Sequence, residues 1–291
     1  MGGVALFSAG DAAAKLLVKD YSAFVISFWF AASALAVLLA LSPWLGGFKK
    51  TLRSSKLPWH GLRAVLTSVM PLLNIYAFAH MPLVNFYTIV FLAPFITALL
   101  SLLIFKERVA KLNWLLIAGG FAGVVIGMRP DLHGIGWAEM AVAATAICFS
   151  LRNLIINRIG TEETMLSYGL WPYLGILLLA AGPVLTDFVW PHWQALALLL
   201  LSGAGGGLGL VMLSVAFHTA PAAKVATTHY SQLIWGLAFG IVLFGDWPDL
   251  WSLAGAAIVT VCGIVLMVSE SALHHHRLKN ATPPDARVLP P

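Results

Sequence analysis

The stretch AFAHMPLVNFYT, residues 77–88, returns 139 positions later as AFHTAPAAKVAT, residues 216–227. The same shift carries Pro82 onto Pro221, Phe105 onto Phe244 and Glu107 onto Asp246. After a three-residue deletion in the second copy, Gly119 and Gly127 fall on Gly255 and Gly263. Apolar segments of low complexity align by chance, but a shared register of proline, phenylalanine, acid and glycine is harder to obtain that way. The chain reads as two copies of one plan.

Composition says where that plan is built. Of the 291 residues 60% are apolar and only 10% charged, with a mean hydropathy of +0.88. Soluble domains run near one-quarter charged, so this is an integral membrane protein whose first partner is the lipid bilayer. The surplus of five positive charges is scattered over short loops, which argues against a nucleic-acid partner. Cys148 and Cys262 sit in apolar runs, leaving neither a disulfide framework nor a cysteine metal site. The HHH at residues 274–276 is read as a solvated helix end, so no metal is expected. The GAGGGLG at residues 203–209 lacks dinucleotide-binding spacing and lies inside a span, so no cofactor is expected. Its Gly203 and Gly207, like Gly119 and Gly123, are read as points of close helix contact. The first apolar run lacks a basic leader and a cleavage site, which makes it a retained span.

A helix needs about 20 mostly apolar residues to cross the hydrocarbon. Charge-free runs at 24–41, 112–128, 164–186, 225–245 and 250–269 supply one span each. The run from Ala64 to Phe105 is divided by HMP at residues 80–82, and one more span starts near Ala195 after the interfacial WPHW. Two charged spans, residues 2–18 and 135–157, complete ten. The predicted fold is all-α, with ten transmembrane helices in two five-helix repeats, residues 1–130 and 131–270, and a disordered cytoplasmic tail at 271–291. Five is odd, so the second repeat enters the membrane from the opposite side: an inverted repeat. Basic residues collect in loops on the cytoplasmic side. Placing Lys49, Lys50, Arg53, Lys56, Arg63, Lys106, Arg108, Lys111, Arg158, Arg277, Lys279 and Arg287 there leaves Lys19 and Arg129 outside and both termini in the cytoplasm, in a cell's inner membrane. Pro71 and Pro94 are expected to kink their helices.

These residues carry a resemblance. AFAHMPLVNFYTIVFLAPFITALLSLLIFKERV with GGFAGVVIG, and AFHTAPAAKVATTHYSQLIWGLAFGIVLFGDW with GAAIVTVCG, resemble the ten-helix EamA-type carriers of the drug/metabolite transporter superfamily. The resemblance spans nearly the whole chain. It implies a secondary carrier working by alternating access, and it leaves the substrate open, since fold does not fix function. Two positions depart: SFWFA at residues 27–31 has no arginine in the second helix, and Leu233 stands where alignment with Pro94 calls for proline.

Ionisable side chains inside a span cost roughly 2.5–3.5 kcal/mol each on insertion scales, so they face a partner or a wet cavity. Asp11 and Lys15 lie one turn apart on the first helix and are expected to pair. Arg152 and Asn153 lie at similar depth in the sixth, and the two helices are expected to face each other across a central site. Asn74, Tyr76, Tyr87 and Thr88, with His229, Tyr230, Gln232 and Trp235 of HYSQLIW, offer the mixed polar and aromatic lining of a small-ligand pocket. These twelve are the candidate substrate-binding residues. Interhelical hydrogen bonding is an equally good account of any single one. His229 or Asp11 could also couple transport to protons. The substrate is read as amino-acid-like, another zwitterionic or anionic solute, or an aromatic one, moved outward; import of a nucleoside-like cofactor or vitamin is the alternative. An intramembrane enzyme or a non-transporting subunit is the contrasting class. No HExxH, paired nucleophile and base, or acidic metal site is present, so no catalytic residue is expected. The sequence does not reveal the oligomeric state.

Overall fold

The computed structural model describes residues 1–105, 111–129, 135–159, 163–186, 189–219, 225 and 227–280. Glu107 and most of its KERVAK loop, Pro221 and the tail beyond 280 lie outside them. The described residues are helical and contain no strand. The elements are α1 (Gly2–Leu17), α2 (Ala23–Ala40), α3 (Phe48–Leu52), α4 (Leu57–His80), α5 (Leu83–Val90), α6 (Ala93–Phe105), α7 (Lys111–Met128), α8 (Trp137–Ile159), α9 (Met165–Thr186) and α10 (Trp193–Thr219). A 3₁₀ turn (Thr228–Tyr230), α11 (Ser231–Phe239), a π turn (Gly240–Phe244) and α12 (Leu250–Asn280) follow. Among the described residues, eight helices are long and apolar enough to cross a membrane, α5 and α6 counting together; α1 and Thr228–Phe244 are shorter apolar segments beside them. In hydrocarbon every backbone N–H and C=O needs a partner within the chain, and the helix provides it.

Proline accounts for the interruption between α5 and α6. Pro94 lacks an N–H and its ring conflicts with the carbonyl four residues back, so the helix stops at Val90 and restarts at Ala93. The Ala93 carbonyl gains side-chain partners instead, accepting from Ser150 Oγ at 2.8 Å and Thr97 Oγ1 at 2.8 Å. Pro71, by contrast, lies within an unbroken α4. Two boundaries differ from expectation. α4 begins at Leu57, not near Ala64, because Arg63 is part of the helix and is only 2% exposed. α12 runs on to Asn280, past the expected limit at 270.

Contacts between distant loops define two polar faces. On one, Lys15 pairs with Asp246, Arg129 with Asp249, and the Tyr21 hydroxyl accepts from the His192 N–H. Asp249 also caps α12 there, and hydrogen bonding from Ser252 holds its carboxyl below the usual carboxylate range. On the other face, the Leu45 carbonyl accepts from the Leu166 N–H, Thr51 bonds Thr164 at 2.6 Å, and Ser54 donates to Glu163 at 2.6 Å. The helices run between these faces.

Small residues set the closest packing. α7 lies on α12, and a Cβ added at Gly255 would come within 2.5 Å of the Gly123 carbonyl oxygen and the Gly127 Cα. Gly123 in turn faces Ile258 and Val259. On α10, Gly209 approaches Gly3 of α1, while Gly203 and Gly207 approach Phe30 and Ala34 of α2. GAGGGLG is therefore a packing surface, as its sequence implies.

Gly255→Val should destabilise the protein by about 1–3 kcal/mol through overpacking against backbone that cannot move aside. Gly182→Ala, on α9 with nothing within 4 Å, should be neutral or stabilising by up to about 1 kcal/mol. Thermal unfolding of the two purified variants in detergent checks the contrast.

Candidate functional site

The interior charges of α1 are partnered across the bundle and not with each other. Lys15 Nζ donates to Asp246 Oδ2 at 2.9 Å and to the Met81 carbonyl at 2.9 Å, and lies 4.9 Å above the Phe244 ring. Asp11 accepts a hydrogen bond from the Tyr87 hydroxyl at 2.7 Å. The expected Asp11–Lys15 pair is thus replaced by two long-range contacts. Local geometry explains the exchange. The π turn at Gly240–Phe244 closes with the Asp246 N–H on the Gly240 carbonyl and with Gly245 at φ 68°, and this widened turn delivers the Asp246 carboxylate to Lys15. A carboxylate offers Lys15 a full charge beyond its own helix. Asp11 finds a phenol at matching depth because Gly236 leaves room for the Tyr87 ring.

Two arginines lie deeper. Arg63 NH2 donates to the carbonyls of Ser167 at 3.1 Å and Tyr168 at 2.7 Å, and its guanidinium is 5.1 Å from the Tyr168 ring. Pro172 has no N–H to offer the Tyr168 carbonyl four residues earlier, so α9 presents a carbonyl that Arg63 satisfies. The reading of Arg63 as a loop cation is corrected: it ties α4 to α9. Close by, His60 Nε2 is 3.5 Å from Glu163 Oε2, an ion pair when the imidazole is protonated. Arg152 shares with Arg63 a buried Nε without a hydrogen-bond partner and the lack of a described carboxylate. It differs in that its guanidinium, 4.3 Å over the Phe149 ring, makes among the described residues no carbonyl contact of the kind that holds Arg63. Arg63, Tyr173 and His229 are close enough for charge to act between them and Arg152.

The other candidates divide into inner and outer groups. Asn74 Oδ1 accepts from Thr145 Oγ1 at 2.8 Å, joining α4 to α8. The Tyr230 ring stacks on Phe91 at 4.6 Å, at the gap between α5 and α6, and Gly263 leaves space for its unpartnered hydroxyl. Asn153, His229 and Gln232 are half-buried. Thr88 is 2% exposed and its hydroxyl returns to the Val84 carbonyl within its own helix. Tyr76, 42% exposed and 4.5 Å from the His80 ring, and Trp235, 37% exposed and stacked on Phe239, belong to the outer surface. α1 packs on α10, α11 and α4, while α8 packs on α4, α5 and α6. Asp246, Arg63, Phe149 and Tyr173 escaped the sequence reading. Of these, Asp246 carried a signal, as the acid matched to Glu107 in the repeat.

A bundle of apolar helices with charges fixed in its interior defines a multi-pass membrane protein of the transporter class. Residues 1–128 match the EamA-like transporter family. The chain is 30% identical over 220 residues to a riboflavin transporter of Rhizobium johnstonii, covering 73% of this chain and 71% of that one. It is 25% identical over 263 residues to an S-adenosylmethionine uptake transporter of Rickettsia bellii, covering 90% of each. A pseudopaline exporter of Pseudomonas aeruginosa is 26% identical over 216 residues, 70% of this chain and 73% of that one. A solved crystal structure shares the fold with a TM-score of 0.64 at 18% identity, over 95% of this chain and 96% of its own. The protein belongs to the EamA-like transporter family, within the drug/metabolite transporter superfamily.

The Lys15–Asp246 contact makes a double-variant test available. Lys15→Asp and Asp246→Lys should each lower thermal stability, since each leaves two like charges in contact. The swapped pair should recover most of the loss, and equal melting of all three variants would show that the contact contributes nothing.

Proposed function

We propose that the protein is a secondary carrier that moves a small organic metabolite across a bacterial inner membrane by alternating access. Its ten spans form two inverted halves, residues 1–130 and 131–270, with both termini in the cytoplasm. Recurrent packing supports the halves. α1 lies on α10 as α8 lies on α4, α2 on α10 as α9 on α4, and α1 on α11 as α8 on α5. The matched helices α2 and α9, α5 and α11, and α7 and α12 also pack on each other, as a two-fold relation requires.

The observation that carries the mechanism is the Lys15 contact set. One side chain joins α1, the turn between α4 and α5, and the second residue after the π turn, so groups from both halves are tied at one face. Breaking this ion pair separates those segments and opens that face, while the Thr51–Thr164, Ser54–Glu163 and Arg63 contacts hold the other. The interior polar residues between the faces, Asp11, Tyr87, Asn74, Arg152, Asn153, His229, Tyr230 and Gln232, line the solute's path. Among relatives, S-adenosylmethionine uptake over 90% of the chain favours import over the export expected from sequence, and a nucleoside-like cofactor over a simple amino acid.

Counterflow in proteoliposomes tests this. Vesicles loaded with unlabelled S-adenosylmethionine or riboflavin should accumulate the labelled compound saturably for at least one of the two, or for a hit from a metabolite panel. Absence of any solute-dependent flux from correctly inserted protein would remove the carrier reading.

A further inference from the structure

Arg152 is the interior charge that the fold leaves without a partner. Lys15 has Asp246 and a carbonyl, and Arg63 has two carbonyls and a tyrosine ring. Arg152 has the Phe149 ring beneath its guanidinium and, among the described residues, neither a hydrogen bond nor an acid. A buried cation with no counter-charge is strongly unfavourable, and is tolerated where a ligand supplies the missing charge.

The geometry specifies what that ligand presents. The Phe149 ring takes no N–H from the guanidinium 4.3 Å above it, so those groups remain to donate, and a guanidinium fork receives a planar oxyanion with two parallel hydrogen bonds. The surrounding groups are Tyr173 on α9, Arg63 on α4 and His229 at the head of α11, none of them acidic. Arg63 has already committed its NH2 to carbonyls and does not offer it to a ligand, which leaves Arg152 as the guanidinium with N–H groups to spare. A single planar fork of N–H donors matches the two oxygens of a carboxylate. Phe149 and Tyr173 give that carboxylate an aromatic setting.

We propose that Arg152 is the carboxylate-binding residue of the transport site, so that the solute is an organic acid or zwitterion held by its carboxylate group. This rests on the carrier reading and deepens it.

Benzoate and benzamide, matched in shape and differing in charge, are the probes. Purified full-length protein is melted with each at equal concentration and ionic strength, and binding is titrated from the shift. Benzoate should stabilise the wild type and bind roughly ten- to a hundredfold more tightly than benzamide, the range expected for a charge-assisted contact in a dry site. Arg152→Gln should lose the benzoate effect, and Arg152→Lys should keep only part of it. An equal response to the two probes in wild type, including none, overturns the proposal even if the variants fail to fold. An undiminished benzoate shift in a folded Arg152→Gln protein does the same. Counterflow separates the two readings. Flux without a benzoate preference sinks the carboxylate site and leaves the carrier, whereas an Arg152-dependent benzoate effect without flux leaves the site and sinks the carrier.

Discussion

Hydrocarbon offers no hydrogen bonds, and that constraint organises this protein. Each backbone polar group must find its partner inside the chain, and each interior charge needs a partner there or from a ligand. The helices answer for the backbone, and the exceptions to their regularity are reused. Where Pro172 removes an N–H from α9, the carbonyl it would have bonded is taken by Arg63. Where Pro94 separates α5 from α6, the Ala93 carbonyl binds Ser150 of α8 and the Phe91 ring at the gap stacks on Tyr230. The π turn places Asp246 within reach of Lys15. These breaks in regular structure add polar contacts between helices to those, such as Asn74 with Thr145, that unbroken helices make.

Glycine supplies the complementary device. Without a hydrophobic drive between apolar helices in lipid, association depends on close contact. Gly123, Gly127 and Gly255 bring α7 and α12 to backbone distance, and Gly3 and Gly209 do so for α1 and α10. Elsewhere glycine makes room for a particular ring, as Gly236 does for Tyr87 and Gly263 for Tyr230. Close helix packing and the buried tyrosines of the polar interior thus depend on the same residue type.

The helical frame was legible in the sequence because its determinant is local. Runs free of charge, the turn at HMP and the proline at Pro94 each act within a few residues, and each is visible in the fold. The partners of the charges were not legible, because partnership is set by tertiary placement. Asp11 and Lys15 satisfy the helical spacing rule for an ion pair, yet Asp246 and Tyr87 reach them from 231 and 76 residues away. Arg63 resembles any basic residue near a loop until α9 is set beside it. Tyr76 and Trp235 have the chemistry of a binding pocket, but helical phase turns them outward, and apolar surroundings on every side gave no pattern from which to read that phase.

Extending the repeat's shift back to the first helix sets Asp11 against Ser150 and Lys15 against Leu154. Ser150 is fully buried with its hydroxyl on two carbonyls, and Leu154 is 5% exposed in the core. Pro82, Gly119 and Gly127 keep their register between the copies, as does the acid at Glu107 and Asp246, whereas Asp11, Lys15 and Arg152 do not. If the two halves are related by the proposed two-fold, packing imposes the same demand on both, and residues that serve packing stay matched. A solute without two-fold symmetry imposes different demands on the two halves, so residues that serve binding diverge. By that criterion the unmatched interior charges Asp11 and Lys15 in one half and Arg152 in the other are consistent with the proposed site. Of these three, Lys15 has an acidic partner, Asp11 has a phenol hydroxyl and Arg152 has an aromatic ring. Among these three, the charge with neither an acid nor a hydrogen-bond partner among the described residues is on α8, which is where the proposed carboxylate contact is placed.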